Sequence, residues 1–272
     1  GFRNVPILLW IVMVFALLTE FTPQPRAFKG ENPDASMILF DSIAVTNRGT
    51  YLPNPQWGSG SIWLILVFLI SILGIIIFRR YAKNIQKNTG RKLPVLWISL
   101  AIFFIPSTVF YFILGSPVTL EYPYLKGFNF KDGIHVRNSF IALTLALAFY
   151  TSAFIGEIVR SGIMAISKGQ TEAAAALGMR PNRIMSLIIL PQALRVIVPP
   201  MISQYLNLTK NSSLAIAVGY MDVRGTLGGI TLNQTGREME SMVLLMGFYL
   251  MVSLLISSVI NYFNRSFQLV GK

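Results

Sequence analysis

Six apolar runs decide what this chain can fold into: Val5–Leu18, Ile62–Phe78, Leu93–Leu114, Asn138–Met164, Val196–Tyr220 and Met242–Tyr262. A helix needs about 20 apolar residues to cross a hydrocarbon core of ~30 Å. Helices and closed barrels are the structures that satisfy their own backbone groups in that core. The runs therefore predict an all-α membrane protein, a multi-span helical bundle with about six spans. Val5–Leu18 is only fourteen residues long, so upstream residues are expected to complete it. Only 12% of residues are charged and 53% are hydrophobic, whereas a soluble domain is roughly 25% charged. With no cysteine and a single histidine, His135, there is no disulfide framework and no Cys- or His-rich metal site.

The net charge of +12 raises nucleic acid as a partner, and its distribution argues against that. Arg79–Lys92 carries Arg79, Arg80, Lys83, Lys87, Arg91 and Lys92 and no acid. Read as a loop, it belongs in the cytoplasm. Alternating six spans then brings the polar stretch Ser167–Pro191 and both chain ends to the same side. The outer loops carry eight basic and nine acidic residues, and everything else carries fifteen basic and two acidic. Between spans, Thr19–Ser61 is a long proline-bearing loop in which Met37–Val45 is expected to form a short surface helix. Gly115–Arg137 is a mixed-charge loop, in which His135 is expected to face solvent.

Ser167–Pro191 is polar, basic and rich in small residues between two apolar runs. Ser167 and Gln170 have the spacing of a capping box. Thr171–Leu177 is nearly all alanine, the best helix former. Gly178 suits a left-handed helix end, and Pro181 suits a first helical position. The stretch thus predicts a helix, a sharp turn and a second helix. Ala173, Ala174 and Ala176 give a face without long side chains, which a partner's cleft can approach closely, and Glu172 adds a carboxylate. The plainer alternative is an amphipathic loop on the lipid headgroups.

Glu172-Ala173-Ala174, three residues, Gly178, nine residues, then Ile188-Ile189-Leu190-Pro191 resembles the EAA loop of ABC importer permeases at every motif position. Three other phrases resemble the polar amino-acid permeases of that family, the histidine/glutamine permease-like group. They are Arg3-Asn4-Val5-Pro6 at the start of a core helix, Glu157-Ile158-Val159-Arg160 before the loop, and Lys210-Asn211-Ser212-Ser213-Leu214 after it. The likeness implies the type I ABC importer transmembrane fold. It places residues 1–18 at the start of the transmembrane core, after an earlier helix. Residues 19–137 become an inserted region with a long external loop and two extra spans. Residues 138–262 become the core with the coupling loop at 165–191, and 263–272 a cytoplasmic tail. The insertion resembles the longer subunits of general L-amino-acid importers.

Several polar residues stand where lipid makes them costly. Glu157 and Arg160 are three apart, on one helical face, and can pair. They either brace their helix against the loop or act as a gate. Lys210, Asn211, Ser212 and Ser213 interrupt a span, which predicts a broken helix lining a cavity. Lys210 and the hydroxyls would serve a substrate carboxylate, and Asn207 and Asn211 either end of an amino acid. Tyr150, Thr151 and Ser152 would line the same path. The competing reading for all of these is helix–helix hydrogen bonding.

No phosphate-cradling G-x-x-x-x-G-K-[ST] motif and no catalytic triad occurs. The chain is therefore expected to be a transport subunit, neither enzyme nor cofactor carrier. The resemblance implies ATP and Mg bound by ABC ATPase subunits and a second identical or homologous permease. It also implies a periplasmic amino-acid-binding protein, an amino-acid substrate and a multi-pass place in the bacterial inner membrane. Glu172, Ala173, Ala174 and Gly178 would meet the ATPase. The alternatives are an ion-coupled secondary transporter of small polar solutes and a non-transporting membrane scaffold.

Overall fold

The computed structural model describes residues 4–30, 33–90 and 93–268. Its helices are α1 (Ile7–Glu20), α2 (Ser61–Thr89), α3 (Val95–Ile113), α4 (Asn138–Met164), α5 (Lys168–Ala176), α6 (Pro181–Ile184), α7 (Leu190–Ser212), α8 (Val223–Gly225), α9 (Leu232–Thr235) and α10 (Glu238–Gln268). Five helical stretches are long and apolar enough to cross a membrane: α2, α3, α4, the continuous run Pro181–Val218, and Glu238–Tyr262. The sixth expected span, α1, has fourteen residues and is short of a crossing on its own. The chain divides into two compact units. One holds the residues up to Gln24, Thr46–Thr50 and those from Val136 onward; the other holds Pro25–Val45 and Tyr51–His135.

The first unit is a helical bundle. In lipid, apolar attraction between helices is weak, so close packing through small residues takes its place. Ile7 and Ile11 of α1 meet Leu143, Ala146 and Leu147 of α4, with Ala215 and Val218 beside them. Ile11 and Ala215 are fully buried. Further along α4, Gly162 lies so close to Ile197 of α7 that a methyl group has no room, and the Ala193 carbonyl oxygen is 3.5 Å from where its Cβ would stand. Asn138 opens α4 and ties it to the short turn at residue 46. Its Nδ2 donates to the Thr46 carbonyl at 3.2 Å, and the Thr46 hydroxyl donates to the Gly49 carbonyl at 2.8 Å.

The second unit combines the α2–α3 hairpin with short antiparallel strands. Phe68 and Phe103 meet edge to face with centroids 4.9 Å apart, and Gly74 faces Ile102. Asn54–Trp57 pairs with Val118–Glu121, and Tyr124–Lys126 pairs with Asn129–Lys131. Ala44, Tyr51 and Phe130 form the small core. His135 is exposed, as expected, and its ring stacks on Tyr51 at 4.5 Å.

Three expectations are corrected here. Arg79–Thr89 is not a loop; it continues α2 to Gly90, whose φ of +69° ends the helix. No glycine or proline stands between Phe78 and Gly90, and Arg, Lys, Ala and Gln favour helix. Arg91 and Lys92 lie outside the described residues. Met37–Val45 is not a helix: Ile38 and Ile43 bridge antiparallel around Leu39, Phe40 and Asp41, all at positive φ. Gly115–Arg137 is largely strand, with Gly127 at φ +70° turning the tighter hairpin.

Candidate functional site

The stretch after α4 folds as a helix, a turn and a helix. Ser167 takes the N-cap position of α5 with extended backbone, φ −62° and ψ 140°, but its side chain caps nothing. The expected capping box is absent: the Ser167 side chain makes no cap bond, and Gln170 Oε1 instead accepts from Gln192 Nε2 of α7 at 3.4 Å. At the other end, Gly178 has φ +74°. Its N–H donates to the Ala175 carbonyl at 2.9 Å, and the Met179 N–H donates to the Ala174 carbonyl at 3.2 Å. That pair of bonds is a Schellman cap, which glycine at the left-handed position makes possible. Arg180 then precedes Pro181 at the first turn of α6.

The alanines divide between two faces. Ala174 and Ile184 are buried, so Ala174 points into its own segment rather than outward with its neighbours. Glu172, Ala173, Ala175, Ala176 and Leu177 are exposed, and Leu177 keeps 83% of its surface. The outward side is thus one carboxylate, three methyl groups and one large apolar side chain. α6 runs through a π-helical turn, Met185–Ile189, into α7. A π turn inside a helical run is a place where function is often found.

Glu157 and Arg160 pair with each other. Arg160 Nε lies 3.4 Å from Glu157 Oε2, with the arginine side chain 68% and the carboxylate side chain 44% exposed. Arg160 Nη2 also donates to Glu157 Oε1 at 3.5 Å. An exposed pair of this kind contributes ~0–1 kcal/mol.

Lys210–Ser213 does not break its helix at mid-span. α7 continues to Ser212 and then tightens to a 3₁₀ helix, Ser213–Val218, which ends at left-handed Gly219. The hydroxyls of Ser212 and Ser213 donate to the carbonyls of Thr209 and Lys210, each at 2.7 Å. Backbone groups that a break would free are satisfied locally. Lys210 and Ser213 line a groove of about 460 Å³ together with Tyr249, Leu250 and Ser253 of α10. The groove sets an ammonium and three hydroxyls against apolar walls, which suits a small polar solute. Asn207, which is exposed, and Asn211 and Ser212, which are half-buried, do not line the groove. Tyr150 and Thr151 are not brought to that groove. Tyr150 packs on the α1–α4 core, its ring 5.0 Å from Phe154, and Thr151 is buried.

Sequence reasoning missed the partners of the groove. Asp222 caps α8 by accepting from the Gly225 N–H at 3.0 Å, and the Tyr249 hydroxyl donates to its other oxygen at 3.5 Å. Arg224 Nη1 donates to the Ser213 carbonyl at 3.2 Å. Asp222 is of a residue type favoured at N-caps, a signal that could have found it; a tyrosine inside an apolar span gives none.

A membrane bundle with a short, Schellman-capped helix between two spans defines a class. The family model "Binding-protein-dependent transport system inner membrane component" matches residues 87–267, and the chain belongs to that family. It is a multi-pass permease subunit of the bacterial inner membrane, in a system whose ATPase activity lies in a separate subunit. Among curated relatives, it is 52% identical to the glutamate/glutamine/aspartate/asparagine transport system permease protein BztB of Rhodobacter capsulatus, over 98% of this chain and 68% of that one. It is 40% identical to the general L-amino acid transport system permease protein AapQ of Rhizobium johnstonii, over 100% of this chain and 66% of that one. It is 41% identical to the putative amino-acid ABC transporter permease protein YhdX of Escherichia coli, over 100% and 67%. The chain spans about two thirds of the length of these relatives.

Proposed function

We propose that this chain forms part of the path of an ATP-driven importer of polar amino acids and takes its drive through α5. The observation that carries this is the outward side of α5: Glu172, Ala173, Ala175, Ala176 and Leu177 exposed on a helix that is itself firmly capped. The relatives' names supply the solute class, acidic amino acids and their amides or L-amino acids generally. An amino-acid-binding protein delivers the solute outside, a second permease subunit completes the path, and two ATPase subunits close on ATP inside. The basic residues of Arg79–Thr89 and of Lys168–Arg195 favour the cytoplasm for those segments, and both chain ends join them when α1 completes a sixth crossing.

Coupling follows from how α5 is held. Ala174 and Ile184 are buried, and Gln170 is bonded to Gln192, so α5 is tied to the α6 segment and to the base of α7. Pro181–Val218 is one continuous helical run. Movement at Gln192, near the base of α7, reaches Lys210 eighteen residues on, about 27 Å at 1.5 Å per residue. Glu172, Ala173 and Gly178 make and shape the docking surface, while Ala174 keys it to the bundle. Lys210 and the groove hydroxyls meet the solute carboxylate, with Asn207, Asn211 and Ser212 beside them. Glu157 and Arg160 hold the inner end of α4, and Tyr150 and Thr151 support the path from behind.

The test is uptake of labelled glutamate and glutamine into vesicles carrying the complete transporter. ATP inside should drive uptake, and Glu172→Arg should abolish it while the subunit still inserts. Uptake driven by an ion gradient without ATP, or unchanged in Glu172→Arg, overturns the proposal.

A further inference from the structure

We propose that the far end of α2 is a binding surface for anionic phospholipid headgroups. The sequence expectation made this segment a basic loop; the structure makes it a rigid helical extension of a span, and that difference carries the inference. Ser61–Phe78 is the apolar part of α2. At 1.5 Å per residue it is about 27 Å long, close to the ~30 Å hydrocarbon thickness. Arg79 and Arg80 therefore emerge at the boundary of the hydrocarbon, where headgroup phosphates lie.

The basic residues share one face. Arg79, Lys83 and Lys87 follow each other at intervals of four, with Arg80 alongside, and all four are exposed. Of the buried positions of the same helix, Ser61, Ser71 and Ala82, the two nearer this end, Ser71 and Ala82, are eleven apart and fall on a different face at 3.6 residues per turn. No acid occurs from Arg79 to Lys92. Among the described residues none of the four makes an ion pair or hydrogen bond. Exposed Tyr81 stands beside them, as an amphipathic ring does at a membrane interface. A free row of guanidinium and ammonium groups, starting where the hydrocarbon ends, meets the charge of anionic lipid. A protein partner in solution would not explain why the row begins at the last apolar residue. Each Lys or Arg near an anionic surface adds about five-fold to binding there.

The full chain, reconstituted in vesicles of phosphatidylcholine and phosphatidylglycerol, tests this with spin-labelled forms of each lipid. The chain should prefer phosphatidylglycerol at low salt, and the preference should fall toward unity in 0.5 M salt, where screening is short-ranged. The double variants R79Q/R80Q and K83Q/K87Q should each reduce the preference by up to about five-fold per residue; R79K/R80K should retain it. Two pairs are used so that a variant that inserts poorly does not decide the outcome. A preference that salt and both pairs leave unchanged overturns the proposal. So does loss of ATPase-subunit co-purification with lipid preference intact, which would assign the face to a protein.

Discussion

Two spans of similar apolar character are used in opposite ways. In α4, 33% of the most apolar stretch is buried within the chain, whereas in α3 the figure is 6%. α4 presents Ala142, Ala146, Thr151 and Gly162 to its neighbours, small residues that let backbones approach. α3 presents Trp97, Phe104, Phe112 and Ile113 outward, each more than half exposed. Hydropathy alone does not separate a helix that makes the fold from one that meets lipid or another chain. Side-chain size on the facing stripe does.

That contrast is broken first at Gly162. Gly162→Val forces a branched side chain against Ile197 and the Ala193 carbonyl. Overpacking of this kind costs about 1–3 kcal/mol, read as a lower melting temperature and less folded subunit in mild detergent. An unchanged melting temperature would mean that the α4–α7 contact is looser than described. Next comes Lys210→Ala in the groove with Tyr249 and Ser253. Losing a hydrogen bond to a charged group should lower uptake about tenfold at unchanged subunit abundance. A drop in abundance alone would make Lys210 structural. Ser253→Ala removes one neutral hydroxyl of the same groove, and should cost uptake about fivefold or less. The smallest effect belongs to Ile70, 66% exposed on α2. Ile70→Ala should shift stability by less than ~0.5 kcal/mol, and a larger loss of melting temperature would show that α2 has a packed partner there.

Much of the bundle was legible because its signals are local. Apolar runs marked the spans, Gly178 and Pro181 bracketed the turn of the docking stretch, and Glu157 and Arg160 paired at their helical spacing. What failed was polarity used as a breaker. Arg79–Thr89 and Lys210–Ser213 are polar, yet neither contains glycine or proline. A charged helix keeps its backbone bonds as well as an apolar one, and serine hydroxyls can bond back to the preceding turn. The orientation of Ala174 was out of reach for another reason. Four alanines in a row, Ala173–Ala176, carry no amphipathic contrast, and only packing against the α6 segment picks the inward one. Tyr249 and Asp222 meet across 27 positions, a pairing that no short motif encodes.

The coupling role of α5 can be tested on single positions, since the 272 residues contain no cysteine. A cysteine at exposed Ala173 and another at buried Ala174 are chain neighbours, about 100° apart around the helix, one facing out and one facing in. In the assembled transporter, a short thiol crosslinker should join Ala173→Cys to the ATPase subunit, with a yield that changes when ATP is bound, and should leave Ala174→Cys unjoined. Labelling of Ala173→Cys by an impermeant reagent from outside the cell, with no crosslink to an ATPase chain, would contradict it.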